Sequence, residues 1–353
     1  MIERLKNLDF IDVFLWLMRA GIIIVVLWGT TKTIIDSPYS SNTWLDFIIF
    51  GIAQGSMYAL IAIGYTLVYG VLLMINFAHG EFFMSGILTS TVVVAVPLSQ
   101  SGYLAAHPFI SLTAIAIVSI LISVGIALLT ERIAYKPLRK APRLMPLITA
   151  IGASFFWQYY FRGMFGSQLK PFPRIPQFEG TVAFLNTNVL KTHIVVIVVT
   201  ILMLLALNFF ITRTRTGKAI RAVAENKDVA ALMGVDVDRT VSITFATGAT
   251  MAGVAGVLYA LVFHQVHFFM GFIPGIKAFT AAVLGGIGSI PGAAVGGLFL
   301  GMFESVGPNL FLQSLGIPAF NQLKDVIAFT MLVLVLIFRP QGIMGEALAE
   351  KKA

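Results

Sequence analysis

No cysteine occurs among the 353 residues. Disulfides, thiolate nucleophiles and cysteine-bound metals are therefore excluded. Charge is also scarce: Asp, Glu, Lys and Arg make up 11% of the chain, against about 25% in soluble domains. The sequence offers no Ser/His/Asp grouping on a recognisable elbow and no credible set of metal ligands, so neither an enzyme nor a metal or cofactor site is expected. A nucleotide site is excluded as well. "TRTRTGKA" (212–219) contains Gly-Lys, but the phosphate-binding loop GxxxxGK[ST] needs Gly where Thr212 stands and Ser or Thr where Ala219 stands.

Apolar residues fill the space that charge leaves. They account for 58% of the chain, and mean hydropathy is +0.91. The chain therefore reads as a polytopic membrane helix bundle. Net charge is +8, which fits cation-rich cytoplasmic loops and gives no reason to invoke nucleic acid. The N-terminus is a poor cleavable signal, because Asp9, Asp12 and Arg19 break its apolar stretch and no small-residue cleavage site follows promptly. It reads as a first span.

A helix needs about 20 apolar residues to cross hydrocarbon. Ten segments qualify: roughly 13–35, 44–68, 71–97, 109–131, 146–165, 193–212, 241–263, 271–288, 291–312 and 323–339. Eight is the alternative, if Ala278–Phe311 forms re-entrant halves. With both termini cytoplasmic, the inside segments hold sixteen of the 24 Lys and Arg. These are Arg4, Lys6, Arg132, Lys136, Arg139, Lys140, Arg143, Arg213, Arg215, Lys218, Arg221, Lys227, Arg239, Arg339, Lys351 and Lys352, a bias that supports N-in and C-in. The outside segment 166–192 has prolines at 171, 173 and 176, which prevent a regular helix. It is a connector or a lid for a partner.

The longest soluble-looking stretch is "TRTRTGKAIRAVAENKDVAALMGVDVDRT" (212–240). It reads as a short amphipathic helix pair, begun at Thr216–Gly217 and stopped at Gly234. Glu225, Asp228 and Asp236 argue against a face resting on anionic lipid, and the alanine-rich side suits docking to a cytoplasmic protein.

Polar residues inside spans are costly and point to function. "INFAHGEFF" (75–83) carries Asn76, His79 and Glu81. On an unbroken helix Asn76 and His79 share a face, while Glu81 is nearly opposite His79. They converge only if Gly80 bends the helix. The other reading puts a polar cytoplasmic turn at His79–Gly80. Lys277, near the outer end of the eighth span, snorkels or faces a pathway, and Glu304 lacks an obvious local partner. Arg19 and Arg162 lie in spans, where their stems bury and their heads reach polar surroundings. His264 and His267 form an interfacial pair without a local carboxylate. Glycine-rich "YGVLLMINFAHGEFFMSG" (69–86) and "LGGIGSIPGAAVGGLFLG" (284–301) place one interrupted segment in each half, as in transporters built from repeats. In the latter, Gly296, Gly297 and Gly301 permit close helix packing, and Gly288–Pro291 makes a tight turn.

Five ordered stretches together resemble permease subunits of branched-chain amino acid ABC importers, most closely the shorter of the two permeases. They are 55–86, 131–154, 215–239, 275–301 and "FRPQGIMG" (338–345). The resemblance implies a single transmembrane domain with a family core at 44–345, an extra span and connector at 1–43, and a coupling loop at 213–240. It implies a second homologous permease, two cytoplasmic ATPases, an extracytoplasmic binding protein delivering Leu, Ile or Val, and a multi-pass place in a bacterial inner membrane. By position, Gly217, Lys218, Arg221, Glu225, Asn226 and Asp228 belong to the ATPase-coupling element. Asn76, His79, Gly80, Glu81 and Lys277 fall in or near the substrate pathway. The competing expectations are a permease for urea or short amides and an ATP-independent channel or carrier.

Overall fold

The computed structural model describes residues 10–36, 38–139, 141–142, 144–184, 187–339 and 341–345. Of the cations used for orientation, Arg4, Lys6, Lys140, Arg143, Lys351 and Lys352 lie outside these residues, as does Pro340 of the C-terminal motif. The principal helices are α1 (Phe10–Asp36), α2 (Ser41–Leu72), α3 (His79–Ser90), α4 (Pro108–Thr130), α5 (Leu144–Phe165), α6 (Lys191–Arg213), α7 (Arg215–Glu225), α8 (Lys227–Leu232), α9 (Val237–Phe263), α10 (Phe272–Gly285), α11 (Ile290–Gly307) and α12 (Lys324–Phe338). Short π and 3-10 turns carry α3 to Gln100, α4 to Leu138 and α11 to Leu315.

Among the described residues, eight helices are long and apolar enough to cross a membrane: α1, α2, α3, α4, α6, α9, α11 and α12. The other two expected spans differ in kind. α5 has the length, 22 residues, but Gln158 and Arg162 dilute its apolarity. α10 has only 14 residues, about 21 Å of helix. Its crossing is completed by irregular chain at 264–271. The shortened span is thus 271–288, and 291–312 is a full helix rather than one of two re-entrant halves.

α2 and α9 run in opposite directions through the centre and touch at Gly64 and Gly248. The inner end of α2 lies at the cytoplasmic helix α7, with Gly70 facing Ala224, and α9 begins on that same side. The arrangement around them is an inverted repeat. α2 packs on α11 as α9 packs on α4; α3 packs on α4 as α10 packs on α11; α3 packs on α9 as α10 packs on α2. Small residues allow these close crossings. Gly51 and Gly55 of α2 meet Gly297 and Gly301 of α11 backbone to backbone, as the glycine pattern predicts.

The turn between α10 and α11 uses Gly286 and Gly288 at positive φ, a conformation glycine adopts without steric cost. The C-terminal motif closes over the same turn: the Ile343 and Met344 amides donate to the Leu284 and Gly285 carbonyls at 2.8 and 2.9 Å. At the opposite end, the described residues of the proline-bearing segment form no regular helix before α6 beyond one 3-10 turn, Pro176–Phe178. Lys170–Pro171 pairs with Gln265–Val266, Thr181–Phe184 forms a hairpin with Thr187–Leu190, and Phe172, Ile175 and Phe178 are buried against the bundle.

Candidate functional site

The site begins where α2 stops. Leu73 takes a left-handed conformation (φ 55°) and its amide donates to Tyr69 O at 2.7 Å. The next residues fold back along α2. Asn76 organises the turn: its carbonyl accepts the His79 amide at 3.0 Å, and its Oδ1 accepts the Ala78 amide at 3.1 Å and the Tyr135 hydroxyl at 2.6 Å. α3 then starts at His79.

The same device ends α9. His264 is left-handed (φ 53°) with its amide on Ala260 O at 2.9 Å. The His267 carbonyl accepts the Met270 amide at 3.1 Å, and its Nδ1 accepts the Phe269 amide at 3.2 Å. The paired positions keep one separation along the chain, 191 residues (264 − 73 = 267 − 76 = 271 − 80). The repeat of 75–83 is therefore 266–274. It is not the glycine-rich 284–301 that the sequence suggested.

The two turns deliver two helix N-termini to one point. Gly80 of α3 and Gly271 at the head of α10 touch through their backbones. A Cβ on Gly80 would lie 2.4 Å from the Gly271 carbonyl oxygen, and a Cβ on Gly271 2.3 Å from that of Gly80. The break expected at Gly80 therefore lies earlier, over Leu73–Ala78, and Gly80 is helical. Glycine is needed there for close approach and does not act as a bend. The depth follows from helix geometry. Gly64, which touches His79, is eight residues before the end of α2, about 12 Å; Gly248 is fifteen before the end of α9, about 22 Å. The point lies roughly one third of the way in from the side of α7.

Around this contact, the ring of His79 is buried between Tyr65 and Phe82, with centroids at 4.8 and 5.6 Å. Glu81 is 1% exposed. Its Oε1 accepts Gln158 Nε2 at 2.7 Å and Ser154 Oγ at 3.1 Å, both from α5. Its Oε2 faces Gly271 and has no hydrogen-bond partner among the described residues. Each helix N-terminus carries about half a positive charge, so the carboxyl group sits where two such ends converge. α5 also reaches the second turn, where the Arg162 guanidinium lies 5.5 Å from the Phe268 ring centre. Beside the contact, Tyr65, Tyr69, Ile75, Phe279, Ala282 and Ile287 enclose about 10 Å³, about the space of one water.

The structure thus gathers Asn76, His79, Gly80 and Glu81, and separates Lys277 from them. Lys277 lies in the middle of the half-helix α10, away from an outer end, and is 3% exposed. Its Nζ is 2.6 Å from Asp325 and 3.1 Å from Glu304. Tyr58 and Gln54 of α2 also donate to Glu304, at 2.9 and 2.8 Å. Glu304 has partners after all, on neighbouring helices. This network shares no member with that of Glu81, because Lys277 is drawn to the buried Glu304 carboxylate, which needs a counter-charge, and to the part-exposed Asp325.

On the cytoplasmic side, Lys218, Arg221, Glu225, Asn226 and Asp228 are exposed together. Gly217 is buried: a Cβ would lie 2.2 Å from Phe210 O, so it seats α7 on α6. The Asn226 carboxamide caps α8, accepting the Asp228 and Val229 amides at 3.0 Å. Leu232 and Met233 are 87% and 80% exposed, so the exposed face is apolar there as well as charged. Beneath them, Arg139 joins Glu131 and Asp238. Burial, and then the charge of Arg139, lowers the pKa of the Lys227 ammonium, with Asp228 opposing.

Comparison with known proteins matches this arrangement over almost its whole length. Residues 47–336 match the family model described as branched-chain amino acid transport system / permease component. The chain is 43% identical to the high-affinity branched-chain amino acid transport system permease protein BraD of Pseudomonas aeruginosa, over 87% of this chain and 98% of that one. It is 41% identical to the corresponding protein LivH of Escherichia coli K12, over 87% and 97%. It is 27% identical to a probable LivH of Methanocaldococcus jannaschii, over 83% and 90%. The half-helix bundle described above is thus that of a multi-pass transport subunit, and the chain belongs to the branched-chain amino acid transport system permease family.

Proposed function

We propose that this chain carries leucine, isoleucine or valine inward across a bacterial inner membrane as one of two homologous permeases. Two cytoplasmic ATPases drive the pair, and an extracytoplasmic binding protein supplies substrate. The observation that carries the reading is the meeting of the N-termini of α3 and of the short helix α10 at Gly80 and Gly271, beside Glu81. Half-helix ends of this kind suit the charged groups of an amino acid. The substrate carboxylate is attracted by the helix ends, and its ammonium group by the unpartnered oxygen of Glu81. Asn76 and His79 hold the turn that positions both. Contact is brief and weak, so selectivity rests mainly with the binding protein.

Lys218, Arg221, Glu225 and Asp228, with Leu232 and Met233, form the proposed ATPase contact, and Gly217 and Asn226 shape it. ATP-driven closure moves α7 and α8 and rocks the permeases in alternating access. In this reading Lys277 locks α10 to α11 and α12 at the edge of the pathway.

Reconstitution with the partner subunits tests the proposal. Replacing Arg221 and Glu225 together is expected to leave basal ATP hydrolysis but abolish its stimulation by loaded binding protein, together with leucine uptake. Normal coupled uptake in that variant removes the docking role. Urea flux through liposomes holding this chain alone would favour the channel reading instead.

A further inference from the structure

α1 stands outside the inverted repeat and ahead of the family match, which begins at residue 47. Its outer half is fixed to the bundle. Gly29 lies against the Phe311 backbone, where a Cβ would come within 1.9 Å of the carbonyl oxygen, and the Thr33 hydroxyl donates to Ser314 Oγ at 3.0 Å. The inner half leans away. A cavity of about 510 Å³ opens between it and helices α11 and α12, lined by residues that include Gly21, Ile22, Phe303, Ile327 and Met331. Thr330 is its single polar lining residue. A Cβ on Gly21 would meet nothing within 4 Å. The slot follows α1 from Met18 to Val26, eight residues or about 12 Å.

The inner mouth of the slot carries a cation. Arg19 follows Met18, and its guanidinium lies 3.9 Å from the centre of the Phe338 ring at the end of α12. Its Nε is buried and has no acceptor among the described residues. Helical side chains lean toward the helix N-terminus, so the stem of Arg19 points along the slot toward the nearer membrane surface, where a long cationic side chain reaches headgroups. A narrow apolar slot open to the bilayer, with a cation at its surface end that has no carboxylate partner among the described residues, complements one acyl chain bearing an anionic headgroup.

We infer that this groove binds a single anionic phospholipid from the leaflet facing the N-terminus of α1, with one chain along Gly21 and its phosphate on Arg19. The site adds to the Arg19–Phe338 contact in holding the inner half of α1 to α12.

The test is native mass spectrometry of the full chain, titrated with phosphatidylglycerol or phosphatidylcholine of identical chains. The wild type is expected to retain one phosphatidylglycerol with about fivefold preference, the factor one cation near the membrane surface confers. R19Q should bind both lipids equally, and R19K should keep the preference. G21F should fill the slot and lose both, with G21A as the control that leaves room. Equal binding of the two lipids by the wild type overturns the inference, as does an R19Q protein that still prefers phosphatidylglycerol. Should G21F fail to fold, the R19Q and R19K pair decides the question on charge alone.

Discussion

Gly80→Ala is the smallest change that addresses the meeting point of α3 and α10. The added methyl would lie 2.4 Å from the Gly271 carbonyl oxygen, 3.2 Å from its carbon and 3.2 Å from the Gly275 Cα. Ordinary contact begins near 3.4 Å, so the two half-helices must separate by about 1 Å. Side chains cannot absorb this, because all three neighbours are backbone. Overpacking of this kind costs about 1–3 kcal/mol. Gly271→Ala drives its methyl to 2.3 Å from the Gly80 carbonyl oxygen and should cost a similar amount. The two substitutions wedge one interface, so the separation forced by the first makes room for the second. The double variant should therefore destabilise by clearly less than the sum, a coupling of about 0.5–3 kcal/mol. Thermal unfolding in lipid nanodiscs measures all four corners of the cycle, and leucine uptake with partner subunits reports whether spreading the contact impairs transport. Strict additivity, or an unchanged melting temperature for either single variant, would falsify the backbone contact as drawn.

Two further predictions concern buried polar groups. Lys277→Met leaves the buried Glu304 without its cation, and removal of one partner of a buried pair costs about 3–5 kcal/mol, while Asp325, 41% exposed, is left to solvent. Adding Glu304→Gln should recover part of that loss in the same unfolding assay; no recovery would mean that Lys277 acts through packing. Tyr135→Phe removes the donor to Asn76 Oδ1, which should cost about 0.5–1.5 kcal/mol. Amide exchange should rise first in the turn at 73–78, and uniform exchange across α2 and α3 would count against a local role.

Much of this was legible in the sequence, for reasons that also mark its limits. Hydropathy found the long helices because each is a continuous apolar run. It carried the eighth span past the end of its helix, to Gly288, because the turn Gly286–Gly288 holds no charged or strongly polar side chain. The glycine spacing on α11 predicted close packing, since a helical period places Gly297 and Gly301 on one face. Partners distant in sequence were out of reach: Ser154 and Gln158 lie 73 and 77 residues from Glu81, and Lys277 is 27 from Glu304. The inverted repeat did leave a readable trace. Set beneath "INFAHGEFF", the stretch "VHFFMGFIP" (266–274) shares Phe77 with Phe268 and Gly80 with Gly271. Two identities in nine are faint, because backbone geometry needs only the glycine and a side-chain acceptor. Asn and His both supply that acceptor.

The two copies of the turn also differ in a way that matters for how such a molecule can change over time. One copy holds Asn76, His79 and Glu81; the other holds His267, Met270 and Phe272 at the matching places. Form is duplicated, while ionisable chemistry is concentrated in the first copy. Glu81, the carboxyl group of the first turn, takes its hydrogen bonds from α5. Changes in α5 and in the first turn therefore alter the surroundings of Glu81, while the opposite turn keeps the scaffold.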